Sequence, residues 1–207
     1  MGIGAMIVFI AMVLVAGIAA SVLIQTANRL EIQAMKTGQE TIGEVSTGLG
    51  VTAITGYRAV ENLSLMTIAI QPRSGSFTID LAQTYIELSD SNKKVVLMYG
   101  AEFQDTTDIN GNFFTAGFYD GLSSTTFGVI VLEDADGSLS AATPVINKGD
   151  QVMLSVNLNL VFDGVPSLGL TTRTEVSGLI QPEEGAPGVF AFTTPSSFAA
   201  DNVFSLY

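Results

Sequence analysis

The sequence predicts an α+β protein: a long N-terminal hydrophobic, then amphipathic, α-helix followed by an all-β, immunoglobulin-like sandwich. Three observations carry that reading. No charged side chain precedes Arg29. The apolar period changes from three-to-four to two just after Leu63. The net charge of −12 also lies entirely in the later part of the chain. Residues 1–60 hold three basic and three acidic side chains, and residues 61–207 hold five basic against seventeen acidic.

The helix comes first. Ile3, Met6, Ile7, Val8, Phe9, Ile10, Met12, Val13, Leu14, Val15 and Ile18 are interleaved with Gly4, Ala5, Ala11, Ala16, Gly17, Ala19 and Ala20. Residues 2–24 are long enough to cross the hydrocarbon core of a bilayer as a helix. Their small side chains let helix backbones approach closely. Apolar or small residues then recur at Leu23, Ala27, Leu30, Ala34, Gly38, Ile42, Val45, Leu49, Ala53, Tyr57 and Val60. Those steps predict one helix over residues 3–62, roughly 90 Å long. Gly38, Gly43, Gly48, Gly50 and Gly56 weaken it by about 1 kcal/mol each relative to Ala. The expected division is therefore a helical part, 1–62, and an outer β-domain, 63–207. A chain beginning near Leu65 is expected to fold as a soluble monomer.

Alternation marks the strands. The clearest run is Val152-Met153-Leu154-Ser155-Val156-Asn157-Leu158-Asn159-Leu160, and Met66-Thr67-Ile68-Ala69-Ile70 and Phe77-Thr78-Ile79-Asp80-Leu81 alternate too. Further strands are expected at 85–88, 95–99, 127–132, 174–180 and 189–193. Turn clusters separate them at Asp90-Ser91-Asn92, Asn110-Gly111-Asn112, Asp136-Gly137 and Lys148-Gly149-Asp150. Seven to nine short strands in this arrangement predict a two-sheet antiparallel sandwich.

Composition excludes much chemistry. The chain has no Cys, His or Trp. Thiolate nucleophiles, Ser-His-Asp triads and Cys- or His-ligated metals are ruled out. No nucleophile–base pair or phosphate loop is visible, so no catalytic residue and no required cofactor is expected. The acidic balance excludes nucleic acid as a partner.

Two loops have the oxygen-ligand spacing that opens a calcium site. Asp105, Asp108, Asn110 and Asn112 form the first-choice set, and Asp134 with Asp136 forms the alternative. The twelfth positions, Tyr119 and Val145, are not the glutamate an EF-hand needs, and Asx-Gly runs are also ordinary turn chemistry. The one N-glycosylation acceptor pattern is Asn62-Leu63-Ser64.

The string Gly2-Ile3-Gly4-Ala5-Met6-Ile7-Val8-Phe9-Ile10-Ala11-Met12-Val13-Leu14-Val15-Ala16 resembles the mature N-terminus of archaeal flagellins, the archaellins. The resemblance recurs in Phe127-Gly128-Val129-Ile130-Val131-Leu132, in Pro144-Val145-Ile146-Asn147-Lys148-Gly149-Asp150, and in Arg173-Thr174-Glu175-Val176-Ser177-Gly178. It implies a structural subunit of the archaellum filament, a type IV pilin-like homopolymer outside the cell that serves swimming. It also implies processing by a signal peptidase, residence in the membrane before assembly, and addition by the archaellum machinery. No basic leader precedes Gly2, which is what the processed chain would show. The family's outer-domain metal and surface glycans imply Ca2+ in the β-domain and a glycan on Asn62. Ala5 stands where bacterial pilins carry glutamate. The expected polymerisation core is Ile3, Gly4, Ile7, Phe9, Ile10, Leu14, Gly17, Ala20 and Ile24. The alternatives are an adhesive type IV-like pilus subunit and a membrane-anchored extracellular binding module.

Overall fold

The computed structural model describes residues 2–59, 61–105, 111–114, 116–164, 167–198 and 201–207. The elements run α1 (Gly2–Ser46), β1 (Leu49–Arg58), β2 (Leu63–Pro72), β3 (Ile79–Asp80), β4 (Tyr85–Ser89), β5 (Lys94–Gln104) and α2 (Ala116–Tyr119). They continue with β6 (Thr126–Glu133), β7 (Val145–Ile146), β8 (Gln151–Asn157), α3 (Leu158–Val161), β9 (Asp163–Gly164) and β10 (Ser167–Leu168). The last three are β11 (Glu175–Gln181), β12 (Gly188–Thr193) and β13 (Val203–Ser205). The α+β class holds, with a long helix preceding a β-rich part. Two compact units result, residues Met1–Ile42 and Gly43–Tyr207.

The helix is shorter than the spacing predicts, and the boundary at residue 62 is corrected. The 45 residues of α1 rise about 68 Å. After Thr47 the chain enters β1, a strand paired on both sides: with β2 from Leu49↔Pro72 to Arg58↔Leu63, and with β13 through Thr55↔Ser205 and Tyr57↔Val203. The misreading has a plain cause. Leu49, Ala53 and Tyr57 are four apart, and a step of four satisfies a period of two as well as one of 3.6. The glycines were the better signal. A Cβ on Gly56 would lie 2.7 Å from the Leu63 side chain, so this strand position needs glycine for close packing rather than tolerating it.

Nine strands form one continuous ladder in the order β12-β11-β4-β5-β6-β8-β2-β1-β13. The sandwich's facing layers therefore come from one sheet rolled around its own core, not from two separate sheets. The roll brings residue 186, just before β12, against the start of β1: Leu49 N donates to Ala186 O at 3.2 Å and Ala186 N donates to Thr47 O at 2.8 Å. Every pairing in the ladder is antiparallel except β5 with β6, which is parallel. Parallel neighbours need a crossover, and residues 105–125 supply it.

One cluster fills the inside, including Leu49 and Ile54 of β1, Met66, Ile68 and Ile70 of β2, Ile86 and Leu88 of β4, Leu154 and Val156 of β8, and Phe190 and Phe192 of β12. A second cluster lies under the crossover, where Phe114, Phe118, Tyr119 and Leu122 pack with Ile130, Tyr57, Leu65 and Met153. The alternation from Val152 ends early as strand: the ladder stops at Asn157, and Leu158 and Val161 bury themselves three apart on α3. Phe77-Thr78-Ile79-Asp80-Leu81 keeps only the two residues of β3, paired with β7.

A chain beginning at Gly43 should therefore melt cooperatively as a soluble monomer, whereas one beginning at Leu65 should not. The shorter chain loses β1 and the fully buried Leu49, Ile54 and Leu63. At about 2–5 kcal/mol per lost core side chain, that approaches the whole stability of a domain. Circular dichroism melting of the two chains checks this.

Candidate functional site

From residue 2 to residue 42 every described side chain of α1 is exposed in the single chain. The large apolar ones between Ile3 and Ile42 are 55–79% exposed. At 100° per residue, Ile3, Ile7, Ile10, Leu14, Gly17 and Ile24 line one stripe, while Phe9 and Ala20 belong to another. Val8, Met12 and Val15 occupy the remaining directions. This stretch thus has no polar face. It cannot lie half-immersed at a lipid–water interface, which requires one. It must be enclosed all round, by lipid or by other helices. Beyond Ile24 a stripe of apolar or small residues continues at Ala27, Leu30, Ala34, Gly38 and Ile42 beside Arg29, Glu31, Lys36 and Glu40. The exposed Lys36–Glu40 pair, at 3.6 Å, adds little stability. The stripe that distinguishes a packing helix from a simple tether ends with α1 at Val45 rather than running on to Val60.

The last turn of α1 is fastened into the β unit by a group of short-range contacts. The Phe77 ring covers Gly43, where a Cβ would stand 3.1 Å from the ring. Thr47 N donates to Gly43 O at 2.9 Å, and Phe77 N donates to Thr47 Oγ1 at 3.2 Å. Ser76 Oγ accepts from Gly48 N and donates to Gly48 O, both at 3.1 Å. Arg73 N donates to Gly48 O at 2.9 Å. Gly185, at φ +97°, lies directly on the Thr47 backbone, where any Cβ would collide with Thr47 O.

The acidic loops separate clearly. Asp108 and Asn110 lie outside the described residues. Asp105 follows the end of β5 and is exposed, and Asn112 accepts the Phe114 N–H on Oδ1 at 3.0 Å, an Asx turn. Asp134 and Asp136 acquire a third carboxylate that spacing did not suggest, Asp150, and the three present oxygens within 4.8 Å of one another. Asp150 is 1% exposed and accepts from Ala135 N at 3.0 Å and Asn147 N at 2.8 Å. Asp134 accepts from Gly137 N at 2.8 Å, Ser138 N at 3.2 Å and Leu139 N at 3.1 Å. Asp136 accepts from Asn147 Nδ2 at 2.8 Å, and hydrogen bonds from Ser138 and then Asn147 hold its carboxyl below the usual range. Oxygen-only donors suit a hard cation, yet the backbone N–H groups already offset the negative charge.

Residues 1–192 match the protein family described as archaeal-type flagellin. The chain belongs to the archaeal-type flagellin family. Among its relatives, flagellin B2 of Methanocaldococcus jannaschii is 45% identical over 199 residues, covering 96% of this chain and 89% of that protein. Flagellin B1 of Methanococcus voltae is 42% identical, over 95% and 90% of the two chains. A crystal structure of archaeal flagellin FlaB1 from M. jannaschii superposes with a TM-score of 0.67 at 36% identity, covering 77% of this chain and 96% of that one. The archaeal flagellum of Methanospirillum hungatei strain JF1 shares the fold over 100% of this chain and 98% of that one, with TM-score 0.63 at 12% identity. This flagellin is thus a structural subunit of the archaeal flagellar filament, in a family of filament proteins rather than enzymes.

Asn62 stands in the short β1–β2 connection, half-buried. Its sequon hydroxyl, Ser64 Oγ, is 5% exposed, donates to Asn62 O at 3.2 Å and accepts from Ala59 N at 3.4 Å. The place of Asp150 beside Asp134 and Asp136, and the 47–48 junction, are features that the sequence did not disclose. Gly149 and Gly185, both at positive φ, were the available signals. Gly185→Ala should lower the melting temperature markedly, because the added Cβ meets backbone that cannot swing away. Differential scanning calorimetry checks this against Gly137→Ala, which shares the backbone cost at φ +71° but meets nothing within 4 Å.

Proposed function

We propose that this flagellin polymerises with copies of itself through residues 3–24 of α1, outside the cell and in the service of swimming. The acidic β unit would face solvent around that core. The carrying observation is a helix apolar on every side, attached to a β unit whose own core is complete. Fourteen large apolar side chains between Ile3 and Ile24 contribute about 1.5–3 kcal/mol each on leaving water. That exceeds the roughly 4–15 kcal/mol lost on association. Transfer from lipid to a helix bundle changes little, since both surroundings are apolar. A membrane-resident pool can therefore feed the filament without a water-exposed stage. The directional work then falls to an assembly machine, and release of the N-terminus to a signal peptidase.

The polymerisation contacts are assigned to Ile3, Gly4, Ile7, Phe9, Ile10, Leu14, Gly17, Ala20 and Ile24. Gly17→Leu should reduce filament yield about tenfold or more while leaving the β unit's melting unchanged, because added bulk separates packed helix axes. Electron micrographs of sheared filaments measure the yield. Normal filaments from this variant would remove the close-packing role.

On this reading the β unit takes Ca2+, at Asp105, Asp108, Asn110 and Asn112 or at Asp134 and Asp136 with Asp150. Chelator should lower the melting temperature of the full chain, and the difference should vanish in Asp108→Ala for the first loop or in Asp136→Ala for the second. An unchanged melt in chelator returns both loops to plain turns. Asn62 is the glycan acceptor, modified before β2 pairs and buries Ser64. The mass of the peptide containing Asn62 reads this directly.

A further inference from the structure

Beyond Ile24, α1 carries charges for which an apolar core has no use. Arg29, Lys36, Glu40 and Glu44 are all exposed in the single chain. At about 100° per residue, with Lys36 at zero, Arg29 falls near 20°, Glu40 near 40° and Glu44 near 80°. Gln25 and Gln33 fall on the same stripe, whereas Glu31 lies on the opposite side of the helix. The stripe is ordered in two ways. Along the axis its basic residues come first and its acidic residues last. Around the axis the basic pair takes one flank and the acidic pair the other. Within the chain Lys36 meets only Glu40, at 3.6 Å, and among the described residues Arg29 and Glu44 make no ion pair.

Parallel helices of identical sequence repel along such a stripe when they lie level, because base then meets base and acid meets acid. A shift of seven residues is no better, since it sets Arg29 beside the Lys36 of the next copy. A shift of about ten residues, about 15 Å, changes the sign. It brings Arg29 within one residue of Glu40 and Lys36 within two of Glu44. Long flexible side chains span both offsets. The same partners do not meet within one chain. Arg29 and Glu40 are separated by about 16 Å of helix rise, and Lys36 and Glu44 by about 12 Å.

We propose that Arg29 and Lys36 of one copy pair with Glu40 and Glu44 of its neighbour, and that these pairs fix the axial stagger of adjacent helices at about 15 Å. The proposal rests on the filament reading. A second copy is the occupant that charge favours, because the stripe is its own complement. A polymer grows through contacts between two different faces of the subunit, and the stripe offers a basic flank to one neighbour and an acidic flank to the other. The apolar segment ending at Ile24 supplies no such choice. It is apolar on every side, so sliding one helix along another alters little of what is buried. Charge pairs select register more than they add affinity, and between packed helices they are screened less than on an open surface.

Arg29→Glu, Glu40→Arg and the two combined are made in the full chain, and the rate at which sheared filaments dissociate on warming is measured. Each single reversal sets like charges together between copies, so dissociation should quicken at least about tenfold. The combined reversal should bring the rate back to within about threefold, with the subunit melt unchanged throughout. Because Arg29 and Glu40 do not meet within a chain, that recovery reports contact between copies. Single reversals without effect, or effects that merely add, overturn the register while leaving the helix core intact. The absence of cysteine from the chain gives a second readout. Filaments carrying both Arg29→Cys and Glu40→Cys, treated with a short bis-maleimide, should link into a ladder of multimers, and filaments carrying Arg29→Cys alone should not link. No ladder from the double variant, or dimers from Arg29→Cys alone, overturns the proposal. Where a charge reversal abolishes assembly, the ladder decides. No filaments from the unsubstituted chain overturns both readings.

Discussion

The large apolar side chains of α1 between Ile3 and Ile24 point in every direction around the helix axis, and the rest of the molecule is arranged around that constraint. One groove covers one side of a helix, and a lipid–water interface covers about half. Only a bilayer interior or a bundle of similar helices covers all of it. Because these two surroundings are nearly equivalent in free energy for apolar side chains, one such surface suits either of them. Glycine and alanine at positions 4, 11, 16, 17, 19 and 20 make the bundle the closer-packed of the two.

A helix that bears the load of a filament must be joined firmly to what it carries. The joint is built from backbone groups rather than from long side chains. Thr47 and Gly48 are hydrogen-bonded on one flank to residues 73–77 and on the other to Ala186. The same bonds start β1 and close the roll of the sheet. Helix exit and sheet closure therefore share one set of residues, so displacing the last turn of α1 means breaking the sheet where it meets itself. Gly185 is a glycine because the Thr47 backbone approaches it too closely for a Cβ, and a Cβ on Gly48 would press on Ala186 and Arg73 at 3.3 Å.

The β unit keeps its distance from other molecules by charge and holds its own interior by rolling. Its acidic surface favours a dispersed exterior, while the crossover between β5 and β6 covers one half of the outer sheet with aromatic rings.

Local signals were enough for much of this. The missing charge before Arg29, the alternation in β2 and β8, the short apolar runs of β4, β5, β6, β11 and β12, and the charge split can all be read along the chain. They determined an α+β chain with an assembly helix and an acidic β unit. The archaellin-like N-terminal string likewise stood in the sequence. Only the tertiary structure decided what residues 49–58 become. Leu49, Ala53 and Tyr57 satisfy both periods, and β1 is a strand because β2 and β13, one nearby and one about 150 residues away, pair with its two edges. Asp150 joins Asp134 and Asp136 for the same reason: carboxylates sixteen and fourteen residues apart meet only after β6 and β8 pair. Periodicity and charge can be read along the chain, but ladder order is set by contacts between distant segments, whose free energies no local pattern encodes.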